Sequence, residues 1–153
     1  MGLVINLAYD RLSEIKLLYG EYAKMLGVDL VFQDFEDELI SLPGDYAMPG
    51  GRLYIVDYDN RLAGCIALKH YEGSSCEMKR LFVRPEFRGK RIGRALAEQV
   101  ILDAKETGYQ AMLLDTMGFL PDSIALYKKL GFIQMAPYRY NPLHDAMFFK
   151  LEL

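Results

Sequence analysis

The stretch Val83-Arg-Pro-Glu-Phe-Arg-Gly-Lys-Arg-Ile-Gly93 constrains the fold of this chain more than any other. Pro85 breaks the extended run that ends at Val83, and Gly89 and Gly93 loosen the backbone where an amphipathic helix begins near Arg91. A strand therefore runs into a loop rich in Arg, Lys and Gly, and the loop into a helix. The first N–H groups of a helix have no internal partner and lie at the positive end of its dipole. Such a loop is a seat for a phosphate, which Arg88 can grip in bidentate fashion. No Gly-Lys-Ser/Thr occurs, which excludes a Walker A loop, and Gly-x-Gly-x-x-Gly is absent as well. The competing reading is a plain turn carrying solvated charges, and the loop by itself leaves both open.

The charge distribution bears on that choice. Lys79, Arg80, Arg84, Arg88, Lys90, Arg91 and Arg94 stand against a single acid, Glu86, in a chain whose net charge is −3. Between Lys24 and Arg52 there is no Lys or Arg, while Asp29, Asp34, Glu36, Asp37, Glu38 and Asp45 are all acidic. An acidic protein with one basic knot suits one compact anion; a nucleic-acid binder calls for a basic face and a high pI. The 153 residues suit a single domain, 1–153. No apolar run approaches the ~18 residues that cross a bilayer, and the first residues lack a signal peptide's layout. The expectation is a cytoplasmic protein without membrane contact. Cys65 and Cys76 lack metal-ligand spacing, so neither a zinc site nor a disulfide is expected.

Periodicity predicts the elements. Leu3 to Leu7 reads as a strand. From Asp10, a candidate N-cap, Leu12, Ile15, Tyr19, Tyr22 and Leu26 mark an amphipathic helix that Gly27 stops. Phe32, Phe35, Leu39 and Leu42 mark a shorter helix ended by Pro43-Gly44, and 43–51 read as a loop. Strands follow at Leu53–Asp57, Leu62–Tyr71 and Cys76–Val83, separated by turns at Asp59-Asn60 and Gly73-Ser74-Ser75. A helix from about Arg91 to Thr107 ends at Gly108, and Ala111–Asp115 is a buried-type strand. Asp122 can cap a helix to Leu130, and Phe132–Ala136 and Ala146–Leu151 supply the last strands. This order requires an α/β or α+β fold with helices on both faces of a mixed sheet.

Two segments then carry a resemblance. Glu77-Met-Lys-Arg-Leu-Phe-Val-Arg-Pro-Glu-Phe-Arg-Gly-Lys-Arg-Ile-Gly-Arg-Ala-Leu96 resembles the central motif of the GNAT superfamily of acetyl-CoA-dependent acyltransferases. Its Q/R-x-x-G-x-G/A loop falls on Arg88 to Gly93. Ile124-Ala-Leu-Tyr-Lys-Lys-Leu-Gly-Phe132 is similar to the second hallmark, a helix bearing Tyr followed by Leu-Gly-Phe. Two positions depart from the pattern: Arg91 stands where the motif has its first glycine, and Leu120 where the family often has an Asn that touches the pantetheine arm. Ser123 is the candidate substitute for that contact.

The resemblance implies a mostly antiparallel mixed sheet of about seven strands, flanked by about four helices and splayed between the fourth and fifth strands. It implies acetyl-CoA as the acyl donor, with no metal. The backbone of Leu81, Phe82 and Val83 would pair with the pantetheine arm, and the amides of Arg88, Gly89, Lys90, Arg91, Ile92, Gly93 and Arg94 would hold the pyrophosphate. Tyr127 would protonate the leaving thiolate; its alternative is a packed aromatic in a stripe with Ile124 and Leu130. Glu77 would serve as base, directly or through water; its alternative is an exposed strand acid paired with Lys79 or Arg80. Strand alternation places residues 77, 79, 81 and 83 on one side. His70 and His144 have no visible partner and read as structural.

The function implied is acetyl transfer to a primary amine, on a small molecule or a protein, by direct attack in a ternary complex. The acidic segment around Phe32 and Phe35 would attract a cationic amine, or is simply a solvated face. Tyr138, Tyr140 and Asn141-Pro142 would close the acceptor pocket or form a homodimer contact. Two other readings stand beside the enzyme: a non-catalytic CoA-binding module for regulation or partner contact, and a phosphate-binding protein of different chemistry.

Overall fold

The structure, a computed structural model, describes residues 2–27 and 35–153. Seven strands form one sheet: β1 (Leu3–Leu7), β2 (Arg52–Tyr58), β3 (Arg61–Glu72), β4 (Ser75–Val83), β5 (Ala111–Met117), β6 (Ile133–Met135) and β7 (Ala146–Glu152). Their spatial order is β1-β2-β3-β4-β5-β7-β6, and every neighbouring pair is antiparallel except β4–β5. Helices α1 (Leu12–Leu26) and α2 (Phe35–Ser41) cover one face, and α3 (Ile92–Thr107) and α4 (Pro121–Lys129) the other. The α/β (α+β) expectation and the element order agree with this architecture.

Each face has its own core. α3 buries Ile92, Leu96, Ala97, Val100 and Ala104, at helical spacing, against Val56, Ile66, Leu68 and Met78. α1 buries Ile15, Leu18 and Tyr19 against Leu53, Ile55, Cys65 and Phe82. A fully buried leucine or isoleucine of this kind contributes about 1.5–3 kcal/mol. Both cysteines are buried and free; Cys65 pairs in register with Phe82 and Cys76 with His70, so they are not opposite each other.

Two predicted caps are displaced. The N-cap of α1 is Arg11, not Asp10, and no side chain caps it; Arg11 instead donates to Glu14 and Asp57 at 2.7 Å each. α4 begins at Pro121 with Leu120 as its N-cap, so Asp122 lies inside the first turn. Proline supplies the helical φ and has no N–H to satisfy, which moves the start ahead of Asp122. Phe32 lies outside the described residues; the observed α2 starts at Phe35. The 43–51 loop contains a single 3-10 turn, Gly44–Tyr46, which buries Tyr46.

β4 is irregular. Its register with β3 passes from Cys65↔Phe82 to Ala67↔Lys79, one extra residue on β4, and Arg80 takes φ 59°. This is a β-bulge, which bends a strand and reverses its alternation. Cys76, Met78, Leu81 and Val83 consequently face the α3 side, whereas Phe82 faces the α1 side. Residues 77 and 79 therefore do not share a side with 81 and 83, contrary to simple alternation. Across the bulge, Gly64 comes so close to the Phe82 carbonyl that a Cβ there would collide with the oxygen.

Candidate active site

The bulge coincides with a split in the sheet. β4 and β5 pair only at Ser75↔Ala111, Cys76↔Met112 and Glu77↔Leu113, then continue to Val83 and Met117 without further pairing. The two strands diverge toward their C-terminal ends, and the gap between them is a narrow cleft partly open to solvent. Met78 to Leu81 form one wall and Leu114 to Met117 the other; Tyr22 and Met25 reach it from α1, and Ser123 and Tyr127 from α4. An exposed strand edge inside a protein must find partners for its backbone groups.

Tyr127 both packs in the core and lines the cleft. Its ring packs edge-on against Phe132 at 5.8 Å and tilted against Phe149 at 6.3 Å. The residue also lines the cleft, and its hydroxyl has no hydrogen bond among the described residues. Burial pushes its pKa up, so the phenol keeps its proton throughout the neutral range. Ser123 and Leu120 line the same cleft.

The Arg88–Arg94 loop sits where β4 gives way to α3. The amides of Gly89, Lys90 and Arg91 find no backbone acceptor among the described residues, and those of Ile92, Gly93 and Arg94 form the first helical turn. Six successive N–H groups are thus available to an anion. Arg91 takes φ 62°, the left-handed conformation that a glycine adopts without cost, so the loop keeps its turn despite the missing glycine. The side chains are less open than the amides. Arg88 donates to the Val83 carbonyl at 3.0 Å and contacts Met25 Sδ at 3.0 Å; Arg94 pairs with Glu98 at 3.3 Å; Lys90 lies 5.3 Å over the Tyr58 ring. Phe82 turns its ring to the opposite core, edge-on to Tyr22, so only its backbone faces the split.

Glu77 is neither exposed nor paired with Lys79 or Arg80. It is fully buried, and both oxygens are taken: Tyr138 donates to Oε2 and Arg139 to Oε1, each at 2.6 Å. It does not line the cleft, so the structure does not bring Glu77 and Tyr127 together there. The remaining basic residues of the knot divide. Arg80 forms a two-bond pair with Glu38, and Arg84 one with Glu21. Lys79 lines the cleft, is 7% exposed, and forms no hydrogen bond or ion pair among the described residues. Burial lowers its pKa to about 8, the Glu77 carboxylate opposing that shift.

The segment 137–142 closes over this end of the sheet. Tyr138 stacks edge-on against Phe148 at 5.3 Å, Tyr71 donates to the Tyr138 carbonyl at 3.0 Å, and Asn141 Nδ2 donates to Asp115 Oδ2 at 3.3 Å. Tyr140 points outward, 75% exposed. Sequence reasoning missed Lys79, Asp115 and Arg139. Asp115 was readable, as the single acid in an apolar buried strand; Arg139 was not, because its partner is 62 residues away. The acidic segment contributes nothing to the cleft among the described residues: Glu36 and Asp37 are exposed, Glu38 holds Arg80, and Asp45 pairs with Lys69 at 3.4 Å. Asp29 and Asp34 lie outside the described residues. His70 bonds Gly73 in a turn at 2.9 Å and His144 is exposed; neither lines the cleft. No described helix is long and apolar enough to cross a membrane.

Comparison with known proteins places this geometry. Residues 16–132 match the model of the acetyltransferase (GNAT) family. An uncharacterised N-acetyltransferase of Dictyostelium discoideum is 36% identical, over 95% of this chain and 96% of its own. An acetyltransferase structure from Streptococcus agalactiae superposes with a TM-score of 0.81 at 22% identity, covering 100% of this chain and 99% of the other. The structure of a Salmonella typhimurium protein described as an acetyltransferase, solved with its cofactor acetyl-CoA, superposes with a TM-score of 0.76 at 19% identity, covering 99% and 94%.

Proposed function

Because the chain belongs to the acetyltransferase (GNAT) family, we propose that it is an N-acetyltransferase that moves the acetyl group of acetyl-CoA to a primary amine by direct attack in a ternary complex. The observation that carries this reading is the coincidence of three features at one place. The sheet splits beside β4, a run of open amides begins at Gly89, and a protonated, unbonded tyrosine reaches the gap.

The residues present fit the donor. The backbone of Leu81, Phe82 and Val83 offers an unpaired edge to the amide-bearing pantetheine arm, as an added strand would use it. The amides from Gly89 to Arg94, with the dipole of α3 behind them, take the pyrophosphate; Arg88 joins once released from Val83. Ser123, half-buried in the cleft wall, takes the contact that Leu120 cannot make. When bound, acetyl-CoA supplies an activated acyl group: the amine nitrogen bonds to the carbonyl carbon and the C–S bond breaks.

Two protons leave the nitrogen in all. An alkylammonium of pKa about 10.4 must lose the first at a cost of about 4.6 kcal/mol at pH 7. Asp115, the one carboxylate among the residues lining the cleft, is placed to accept it or pass it to water. Tyr127 donates its own proton to the departing sulfur and is restored by the second. Glu77 acts as a positioning residue: with both oxygens occupied, it holds Tyr138 and Arg139, and through them the segment that carries Asn141 onto Asp115.

The test is amine-dependent release of CoA thiol. Wild-type protein is expected to release thiol with at least one amine class, and Tyr127→Phe to lower kcat at least tenfold while acetyl-CoA affinity changes less than threefold. Binding of acetyl-CoA with no turnover on any amine would mark the chain as a non-catalytic CoA-binding module. Equal affinity for acetyl-CoA and bare 3′,5′-ADP would leave the split in the sheet without a role.

A further inference from the structure

Lys79 is the anomaly of the cleft. A buried charge is ordinarily paired, because removing an ion from water costs several kcal/mol. The neighbouring cations obey this rule: the buried Arg80 has Glu38, and the partly buried Arg139 has Glu77. Lys79 is more than nine-tenths buried, lines the cleft, and has no hydrogen bond or ion pair among the described residues. Asp115 stands on the opposite wall, close enough to act on Lys79 electrostatically, yet no ion pair joins them. Two opposite charges thus line one cleft with a space between them.

Taking the proposed acetyl transfer as its premise, we propose that the acceptor is a zwitterion of the α-amino-acid type, whose carboxylate pairs with Lys79 while its ammonium group is received at Asp115. The polarity follows from the walls. Lys79 on β4 is an unanswered donor, and Asp115 on β5 is an acceptor held in place by Asn141. A zwitterion answers both and delivers its nitrogen to the side of the cleft that Tyr127 lines. A simple cationic amine would answer Asp115 and leave Lys79 repelling it. Protein amino groups other than a chain terminus carry no adjacent carboxylate, and a chain terminus carries it as an amide, so both are disfavoured.

A pH signature follows. The charged and titratable groups around Lys79 are Glu77 and Arg80 on β4, Asp115 on β5, Arg139 in the closing segment, Tyr22 on α1 and Tyr127 on α4. Of these, the two guanidinium groups keep their charge across the neutral range, and burial keeps Tyr22 and Tyr127 protonated. Lys79 itself titrates near pH 8, so the KM of a carboxylate-bearing acceptor rises as pH passes upward through that region.

The experiment has two arms. In the first, thiol release is measured with the common amino acids, their α-carboxamides and the corresponding decarboxylated amines. At least one amino acid is expected to exceed its carboxamide at least tenfold in kcat/KM, and Lys79→Met to bring that ratio near unity. In the second, N-acetyl amino acids are titrated calorimetrically into the CoA-saturated protein, with Lys79→Gln as a further variant. Binding should weaken at least tenfold in both variants. Turnover confined to carboxylate-free amines, or a preference untouched at Lys79, overturns the zwitterion proposal while acetyl transfer stands. Lys79-dependent binding in the second arm without turnover in the first overturns acetyl transfer, and the acceptor proposal with it, and leaves only a carboxylate site at Lys79. Absence of both overturns the two together.

Discussion

At the scale of single residues, the chemistry of the cleft depends on groups whose surroundings decide their role. Lys79 is the clearest case. Its pKa in the folded chain, about 8, lies below the ordinary lysine value of 10.5, so folding penalises its charged form. Between those two values the unfolded chain binds more protons than the folded one, and stability rises with pH across that window. Below pH 8 the penalty is fully present. Lys79→Met is therefore expected to raise unfolding free energy at pH 7 by about 2–3 kcal/mol and to abolish its share of the rise above pH 8. Urea unfolding of both proteins at pH 7 and pH 9.5 checks this; parallel behaviour of the two would contradict it.

Glu77 is the opposite case, a charge fully answered by its neighbours. Glu77→Gln strips Arg139 of its partner and is expected to cost about 2–4 kcal/mol, toward the lower end of a broken buried pair because Arg139 remains partly exposed. The kcat/KM pH profile should keep its shape in that variant. A changed profile with unchanged stability would make Glu77 the base itself. Sequence located Tyr127 and Glu77 but could not see what surrounds them. Tyr138 and Arg139 reach Glu77 from 61 and 62 residues away, and no local pattern encodes such a meeting.

At the scale of elements, two irregularities shape the site. The β4 bulge turns Arg80 toward Tyr22 of α1 and accompanies the divergence from β5. It was invisible in sequence because the residue taking positive φ is Arg80, with no glycine to announce it, and period-2 alternation reads straight through. The loop into α3 was legible, since Pro85, Gly89 and the helical spacing from Ile92 mark its ends. Its left-handed Arg91 was not. An L-residue in that conformation costs about 1–2 kcal/mol, offset in part by the greater freedom that glycine loses on folding. Arg91→Gly is therefore expected to stabilise the protein by about 0.5–1 kcal/mol and to leave acetyl-CoA affinity within threefold. A lower denaturation midpoint would show that the Arg91 side chain contributes more than its backbone costs.

For the molecule as a whole, the order of elements was readable because each signal was local: apolar periods, Gly and Pro stops, and short turns between strands. Strand pairing beyond adjacent hairpins was not, since insertion of β7 between β5 and β6 and the short parallel contact of β4 with β5 depend on long-range packing. The basic knot now divides by function. Arg80 and Arg84 tie the sheet to α2 and α1, the loop residues surround the amides, and Lys79 faces the cleft with no partner among the described residues. The central claim is that acetyl-CoA lies along the β4 edge with its pyrophosphate on the Gly89–Arg94 amides. Backbone-amide NMR during titration with acetyl-CoA tests it most directly. Large downfield shifts at Gly89 to Arg94, together with slowed hydrogen exchange along Leu81 to Val83, are the expected result; saturable binding that leaves those amides unmoved would contradict it.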